Sequence, residues 1–192
     1  MAQFVFSVDS VTIQNTRSKH TDTDYFVCTV KVGDEAPLIP LFSSLGNLNS
    51  GTHPIEQQLP PIDLEPGDEC VFNYLIVNAG SANGVDVVRA LINASVAWAS
   101  GQGPASTNFT GALEDGQTFF NQELTPLLKP NTCDGMVAAE QDHFSFDDLS
   151  SVSPQQAVTH EVHHPGIRSP SGCGPNSQYT VTWEIDQNEP LF

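Results

Sequence analysis

The sequence predicts a mainly β protein, an antiparallel β-sandwich or sheet that carries an inserted pair of α-helices at about residues 84–130. Residues 179–186 alternate apolar and polar side chains at the period of a half-buried strand. Residues 85–99 instead repeat apolar side chains every three to four positions, as a helix does. Helices do not alternate regularly with strands along the chain, which disfavours a doubly wound parallel sheet. A two-layer α+β arrangement is the second choice.

The strand candidates fall on both sides of the predicted helices. Residues 3–13 alternate but change parity at Asp9-Ser10, which predicts a bulge or bend. Residues 24–32 alternate as well, and we expect them to pair with 3–13 as an antiparallel hairpin. Residues 69–78 are apolar on both parities, which is typical of a central strand covered on both faces.

One helix is well delimited by its sequence. Asn83 can cap its start, and Gly101 can end it. Its predicted apolar stripe covers the second face of the central strand and consists of Val85, Val88, Leu91 or Ile92, Val96 and Ala99. A weaker helix is expected at about 117–128, where Pro126 would kink or stop it.

The chain length predicts a single domain over residues 1–192. Within it, residues 34–67 hold many of the prolines and several glycines, so we expect a long binding loop or lid there. The four cysteines could be free core thiols or two disulfides, and the expected pairs are Cys28–Cys70 and Cys133–Cys173.

The net charge is −17, with 23 acidic against 6 basic residues. This charge excludes a nucleic-acid binder that depends on a basic patch, and it argues against a membrane partner with anionic lipid. It favours solubility, cation binding or a basic partner. No run approaches the roughly 18 apolar residues of a membrane span, and the first residues lack a basic signal-peptide region. We therefore expect a cytoplasmic protein or the mature end of a secreted one.

The first candidate site precedes the strand at 24–32. His20, Asp22 and Asp24 share the parity of the apolar set that begins at Phe26, so a regular strand would direct them towards the core. Buried carboxylates are costly unless they are neutralised. A divalent cation (Ca²⁺ or Zn²⁺), the nearby Arg17 or backbone N–H groups could do this. A solvated turn is the alternative interpretation.

The second candidate site is the histidine cluster His160, His163 and His164. Its spacing formally contains the zinc-protease pattern His-Glu-x-x-His, which requires a helix. Strand-forming residues surround it and Pro165-Gly166 follows, so a strand is expected instead. In a strand, His160 and His164 share one face and His163 lies on the other. These histidines could complete a metal site with His20, Asp22 and Asp24.

Three functions are compatible with these features. The first hypothesis is a non-enzymatic binding protein for a glycan or small molecule, assisted by a cation. The second is a metal-dependent hydrolase that uses the His/Asp cluster, and the third is a cation-dependent structural or self-assembling protein. The sequence contains no nucleophile elbow, phosphate-binding loop or dinucleotide fingerprint. Trp98 and Trp183 are expected in the core rather than on a sugar platform.

Overall fold

The computed structural model describes residues 1–18, 22–38, 40–101, 123–129, 131–153, 156–166, 168 and 173–188. The strands are β1 (Ala2–Asn15), β2 (Asp22–Val32), β3 (Leu41–Leu48), β4 (Gly51–Gln58), β5 (Ile62–Leu64), β6 (Glu69–Asn78), β7 (Gly135–Ser145), β8 (Val158–Pro165) and β9 (Gln178–Asn188). The helices are α1 (Gly84–Ala99), a 3₁₀ turn (Thr125–Leu127) and α2 (Phe146–Ser150).

The strands form two antiparallel sheets, which confirms the predicted β-sandwich. One sheet has the order β4-β1-β9-β8, with β5 also paired to β1, and the other has the order β3-β2-β6-β7. Phe6 from the first sheet stacks on Phe72 from the second, with ring centroids 5.1 Å apart. Both rings belong to the core between the sheets, which also takes in the inward residues of β9. At one flank of the sandwich, β7 and β8 are the edge strands of their respective sheets.

Strand β6 lies between β2 and β7 and is buried on both faces, as predicted. One face packs into the inter-sheet core, and the other packs against α1. Asn83 caps α1 through its side chain, which accepts a hydrogen bond from the Val85 amide. The predicted apolar stripe is right in part: Leu91 and Ala99 are buried, whereas Val88 and Val96 are half-buried and Val85 is exposed. The other buried residues of α1 are Val87, Ala90, Ala94, Ser95 and Trp98.

Two topological expectations are wrong. Strands β1 and β2 belong to different sheets, because β1 pairs with β4, β5 and β9 while β2 pairs with β3 and β6. The expected loop at 34–67 contains β3, β4 and β5. Pro54 lies on β4, an edge strand, and proline is tolerated on such strands because their outward amides make no ladder bond. Gly46 has φ of 76° and lies where the β2–β3 register shifts, a conformation that suits glycine.

The bulge expected at Asp9-Ser10 is confirmed by a register shift between Val8 and Ser10. The second helix expected at 117–128 falls largely outside the described residues, and the 3₁₀ turn is what the described part shows there. The single-domain assignment stays a prediction. Among the described residues, no helix has both the length and the apolar character needed to cross a bilayer.

A disulfide joins Cys133, just before β7, to Cys173, in the segment before β9. It thereby connects the two sheets at the end of the sandwich where β1 ends. The expected Cys28–Cys70 pair is wrong, since both thiols are free and buried. Cys28 pairs with Tyr74 in the β2–β6 register, which places it four positions from Cys70 and roughly 13 Å along the strand, beyond disulfide reach.

Candidate functional site

Asp22 and Asp24 face the interior, as the parity of β2 predicts, and both are 0% exposed. The Tyr179 hydroxyl donates to Oδ2 of Asp22 at 2.7 Å and to Oδ2 of Asp24 at 2.9 Å. Asp22 also accepts hydrogen bonds from the backbone amides of Arg17 and Ser18, each at 2.6 Å, and from the Asn78 side chain at 3.0 Å. The protein itself therefore supplies four donors to Asp22.

The Arg17 side chain supplies the positive charge of this cluster. It is only 2% exposed, and its guanidinium donates to the Met136 carbonyl. Its charge acts on Asp22, Asp24 and the neighbouring Asp134. Burial and the Asp22 charge raise the pKa of Asp24 well above its ordinary value, while the Tyr179 hydrogen bond and Arg17 oppose that rise. We call Arg17, Asp22, Asp24, Asn78 and Tyr179 the arginine cluster.

Of the candidates considered from the sequence, the backbone amides of Arg17 and Ser18 contact Asp22, and the Arg17 charge acts on both acids. Oδ1 of Asp24 is buried and accepts no hydrogen bond from any described residue. His20 lies outside the described residues. In the part of the chain that the structure describes, no three or more His, Cys, Asp or Glu side chains are grouped so as to hold a metal ion. A metal-ligand role for these residues stays a prediction.

The three histidines of β8 do not converge. His160 stacks on Trp183, with ring centroids 4.0 Å apart and planes 6° apart. His163 is exposed on the opposite face and lies 3.3 Å from the Thr180 hydroxyl. His164 is buried, with Nε2 2.7 Å from the Tyr74 hydroxyl. Because β8 is a strand, the zinc-protease interpretation of this segment is wrong.

The Tyr74–His164 contact is neutral. Burial lowers the pKa of His164 to about 3, and burial raises the pKa of Tyr74 well above its ordinary value. The contact is therefore a hydrogen bond between a neutral phenol and an uncharged imidazole. A neutral buried pair of this kind positions the β8 edge against β6 and carries no charge with which to attract a ligand.

Two carboxylates that the sequence analysis missed lie beside this contact. Glu140 and Asp142 on β7 pair with Tyr74 and Phe72 on β6, and paired residues of antiparallel strands point to the same face. Since Tyr74 and Phe72 belong to the inter-sheet core, both acids face inward, towards the flank where His160 lies. Ala138, Glu140 and Asp142 are separated by one residue each, so extending the inward–outward alternation of β7 from Ala138 would have placed both acids on the inward face. We call Glu140, Asp142 and His160 the flank cluster.

The electrostatics of the flank cluster differ from those of the arginine cluster. Burial, followed by the Asp142 charge, raises the pKa of Glu140 to about 8. Burial also raises the pKa of Asp142, while the charges of His160 and His143 oppose that rise. Glu140 is 8% exposed, and its Oε2 accepts no hydrogen bond from any described residue.

A cavity of about 440 Å³ opens on the outer face of the β3-β2-β6-β7 sheet, where α1 ends. Its buried floor includes Trp98 and Ala99 from α1, with the half-buried Val71 from β6 beside them. The rim carries three acids and two nitrogen-bearing side chains: Asp34, Asp68, Glu69, Lys31 and His143. We call this the helix-side cavity.

Gln141 lines the same cavity from β7, and its Oε1 is buried without a hydrogen-bond donor among the described residues. A second cavity of about 450 Å³ adjoins it and shares Gly33, Asp34 and Asp68 with it. Trp98 and Trp183 are 2% and 1% exposed, so neither offers an open ring face to a sugar.

The chain matches no protein-family model and is similar in sequence to no curated protein. Its architecture resembles the C2A domain of plant extended synaptotagmin 1, with 4% identity and a TM-score of 0.48 over 100% of this chain and 97% of that one. It also resembles part of human GIVD cytosolic phospholipase A2 in complex with an inhibitor and terbium chloride, with 9% identity and a TM-score of 0.44. That match covers 98% of this chain and 17% of the phospholipase. At these sequence identities and TM-scores, the structural resemblance gives no information about the ligand or the activity of this chain.

Proposed function

We propose that the protein is a non-enzymatic binding module that holds a small, positively charged molecule in the helix-side cavity. The observation that carries this proposal is the cavity itself: about 440 Å³, with an apolar floor and an acidic rim. Sites for small ligands typically have this size and combine apolar walls with a few polar groups. The buried Gln141 Oε1, which lacks a donor among the described residues, supplies an acceptor for an ammonium or hydroxyl group.

The charge of the rim selects the ligand class. Three carboxylates face one ammonium, that of Lys31, so a cationic group is attracted and an anionic one is repelled. A small organic cation such as choline or a diamine would place its charge among the rim acids and its methyl or methylene groups on the floor. The buried tryptophans favour this class over a glycan, which would need an exposed aromatic platform.

The test is calorimetric titration with choline and with putrescine, with glycerol as the uncharged comparison. Asp34→Asn and Glu69→Gln each remove one exposed rim charge, and the doubly substituted protein should bind about tenfold more weakly, a loss of about 1.4 kcal/mol. Asp63→Asn is the matched control, because Asp63 lines only the neighbouring cavity. Equal weakening by the control, or binding of neither cation, would contradict the proposal.

A further inference from the structure

The helix-side cavity adjoins a second cavity of about 450 Å³ that has the same combination of an apolar floor and an acidic rim. The floor of the second cavity is formed by Ile62, which is 4% exposed, and by Val32 and Leu38, which pack half-buried against the core between the sheets. The described residues that line it include no basic side chain. The second cavity therefore repeats the character of the first without the opposing ammonium of Lys31.

Five acids are distributed along the two cavities. Glu69 lines only the helix-side cavity, while Asp34 and Asp68 line both. Glu35 and Asp63 line only the second cavity. Among the described residues, none of the five forms an ion pair. Their negative charges thus act together on solution and attract a partner that carries several positive charges.

The wall that the two cavities share is held in place by hydrogen bonds to the main chain. The Gly33 amide donates to the Glu69 carbonyl at 2.8 Å, which joins the turn after β2 to the start of β6. The Asp68 side chain accepts from the Glu65 amide at 2.7 Å, and the Asp68 carbonyl accepts from the Phe146 amide at 2.8 Å. Because Asp68 is positioned in advance, a ligand loses less affinity to the ordering of this wall.

We propose that the two cavities together bind one linear polyamine such as spermine, an inference that rests on the proposed function and extends its site into the second cavity. A linear polyamine alternates ammonium groups with short methylene segments. Its inner ammonium groups would lie at the shared acids Asp34 and Asp68, and its methylene segments on the two apolar floors. Its ends would lie beside Glu69 in one cavity and beside Glu35 and Asp63 in the other.

The second cavity separates a polyamine from the shorter cations, which occupy the helix-side cavity alone. Once one end of spermine is bound, the other end is held close to the second cavity at a high effective concentration. Spermine should therefore bind at least about tenfold more tightly than putrescine. A diamine with the chain length of spermine carries no inner ammonium groups to meet Asp34 and Asp68, so it should bind more weakly than spermine.

The experiment is calorimetric titration of the full chain with spermine, putrescine and the long diamine. An ionic strength of about 0.15 M screens charges that are more than about 8 Å apart. Glu35→Gln combined with Asp63→Asn should weaken spermine binding about tenfold and leave putrescine binding unchanged, because both acids line only the second cavity. Both side chains are exposed, and far-UV spectra confirm that the variant is folded.

Glu56→Gln combined with Glu161→Gln is the matched control, since it removes the same number of exposed charges from β4 and β8 and neither acid lines either cavity. It should bind spermine as the parent does. Equal losses in the two double variants would overturn the proposal, because they would show that spermine responds only to the overall negative charge. Equal affinity for spermine and the long diamine would also overturn it, because the shared acids would then contribute nothing.

The two short ligands keep this proposal distinct from the proposed function. If putrescine binds and spermine binds no more tightly, the polyamine proposal is wrong and the proposed function stands. If neither molecule binds, both are wrong.

Discussion

Replacing Glu140 by glutamine should make the protein more stable at alkaline pH. The pKa of this carboxyl is about 8 in the folded chain, against 4.5 when it is solvated. Between those values the folded protein holds a proton that the unfolded chain has lost, so stability falls as pH rises, by about 1.4 kcal/mol per pH unit. Over the whole interval between the two pKa values, this effect lowers the free energy of unfolding of the parent protein by at most about 5 kcal/mol, a loss that is complete above pH 8.

Glutamine has nearly the shape of a protonated glutamate but does not ionise, so the variant has no titrating group at position 140. In buffer with a chelator, its free energy of unfolding in urea should match that of the parent near pH 5 and exceed it progressively up to pH 8.5. Asp24, whose pKa is also raised, titrates in both proteins, so the difference between them reports Glu140 together with its effect on the neighbouring Asp142. The control Glu161→Gln, which removes an exposed charge from β8, should follow the parent throughout. Parallel stability curves for Glu140→Gln and the parent would refute the reasoning.

Three further predictions concern the end of the sandwich that holds the arginine cluster. Tyr179→Phe removes the donor shared by two buried carboxylates and should lower the free energy of unfolding by about 2–3 kcal/mol in urea titrations; an unchanged midpoint would contradict the cluster's role. Gly166→Ala should lower the free energy of unfolding by about 1–3 kcal/mol, because the added Cβ would lie 2.5–2.8 Å from backbone atoms of the segment before β9. In Gly174→Ala the added Cβ would have no atom within 4 Å, so this control should be tolerated. The Cys133–Cys173 disulfide joins residues 40 positions apart. Reducing it should lower the free energy of unfolding by about 4 kcal/mol, because the unfolded chain gains conformational entropy, and dithiothreitol should lower the thermal midpoint.

The sequence is informative about which face a residue occupies and much less so about its partner. Alternation correctly placed Asp22 and Asp24 at the core side of β2, because side-chain direction in a strand depends only on parity. It could not show that β2 pairs with β6 rather than β1, since pairing depends on contacts between residues far apart in the chain. The hairpin expectation failed for that reason.

Local composition predicted the wrong structure where the fold overrode it. Prolines and glycines between 34 and 67 predicted a loop, yet edge strands accept Pro54, and a register shift accommodates Gly46. The acids of β7 were missed for the opposite reason. Glu140 and Asp142 stand in a polar stretch that looks solvated, and only the packing of β8 and β9 across the flank encloses them.

The most direct test concerns Glu140, an inward carboxylate whose Oε2 accepts no hydrogen bond from any described residue. Carboxyl-carbon NMR of Glu140, titrated with pH, measures its protonation. We predict a midpoint near pH 8, because burial disfavours the ionised form. A midpoint near that of a solvated glutamate would contradict the burial of this acid.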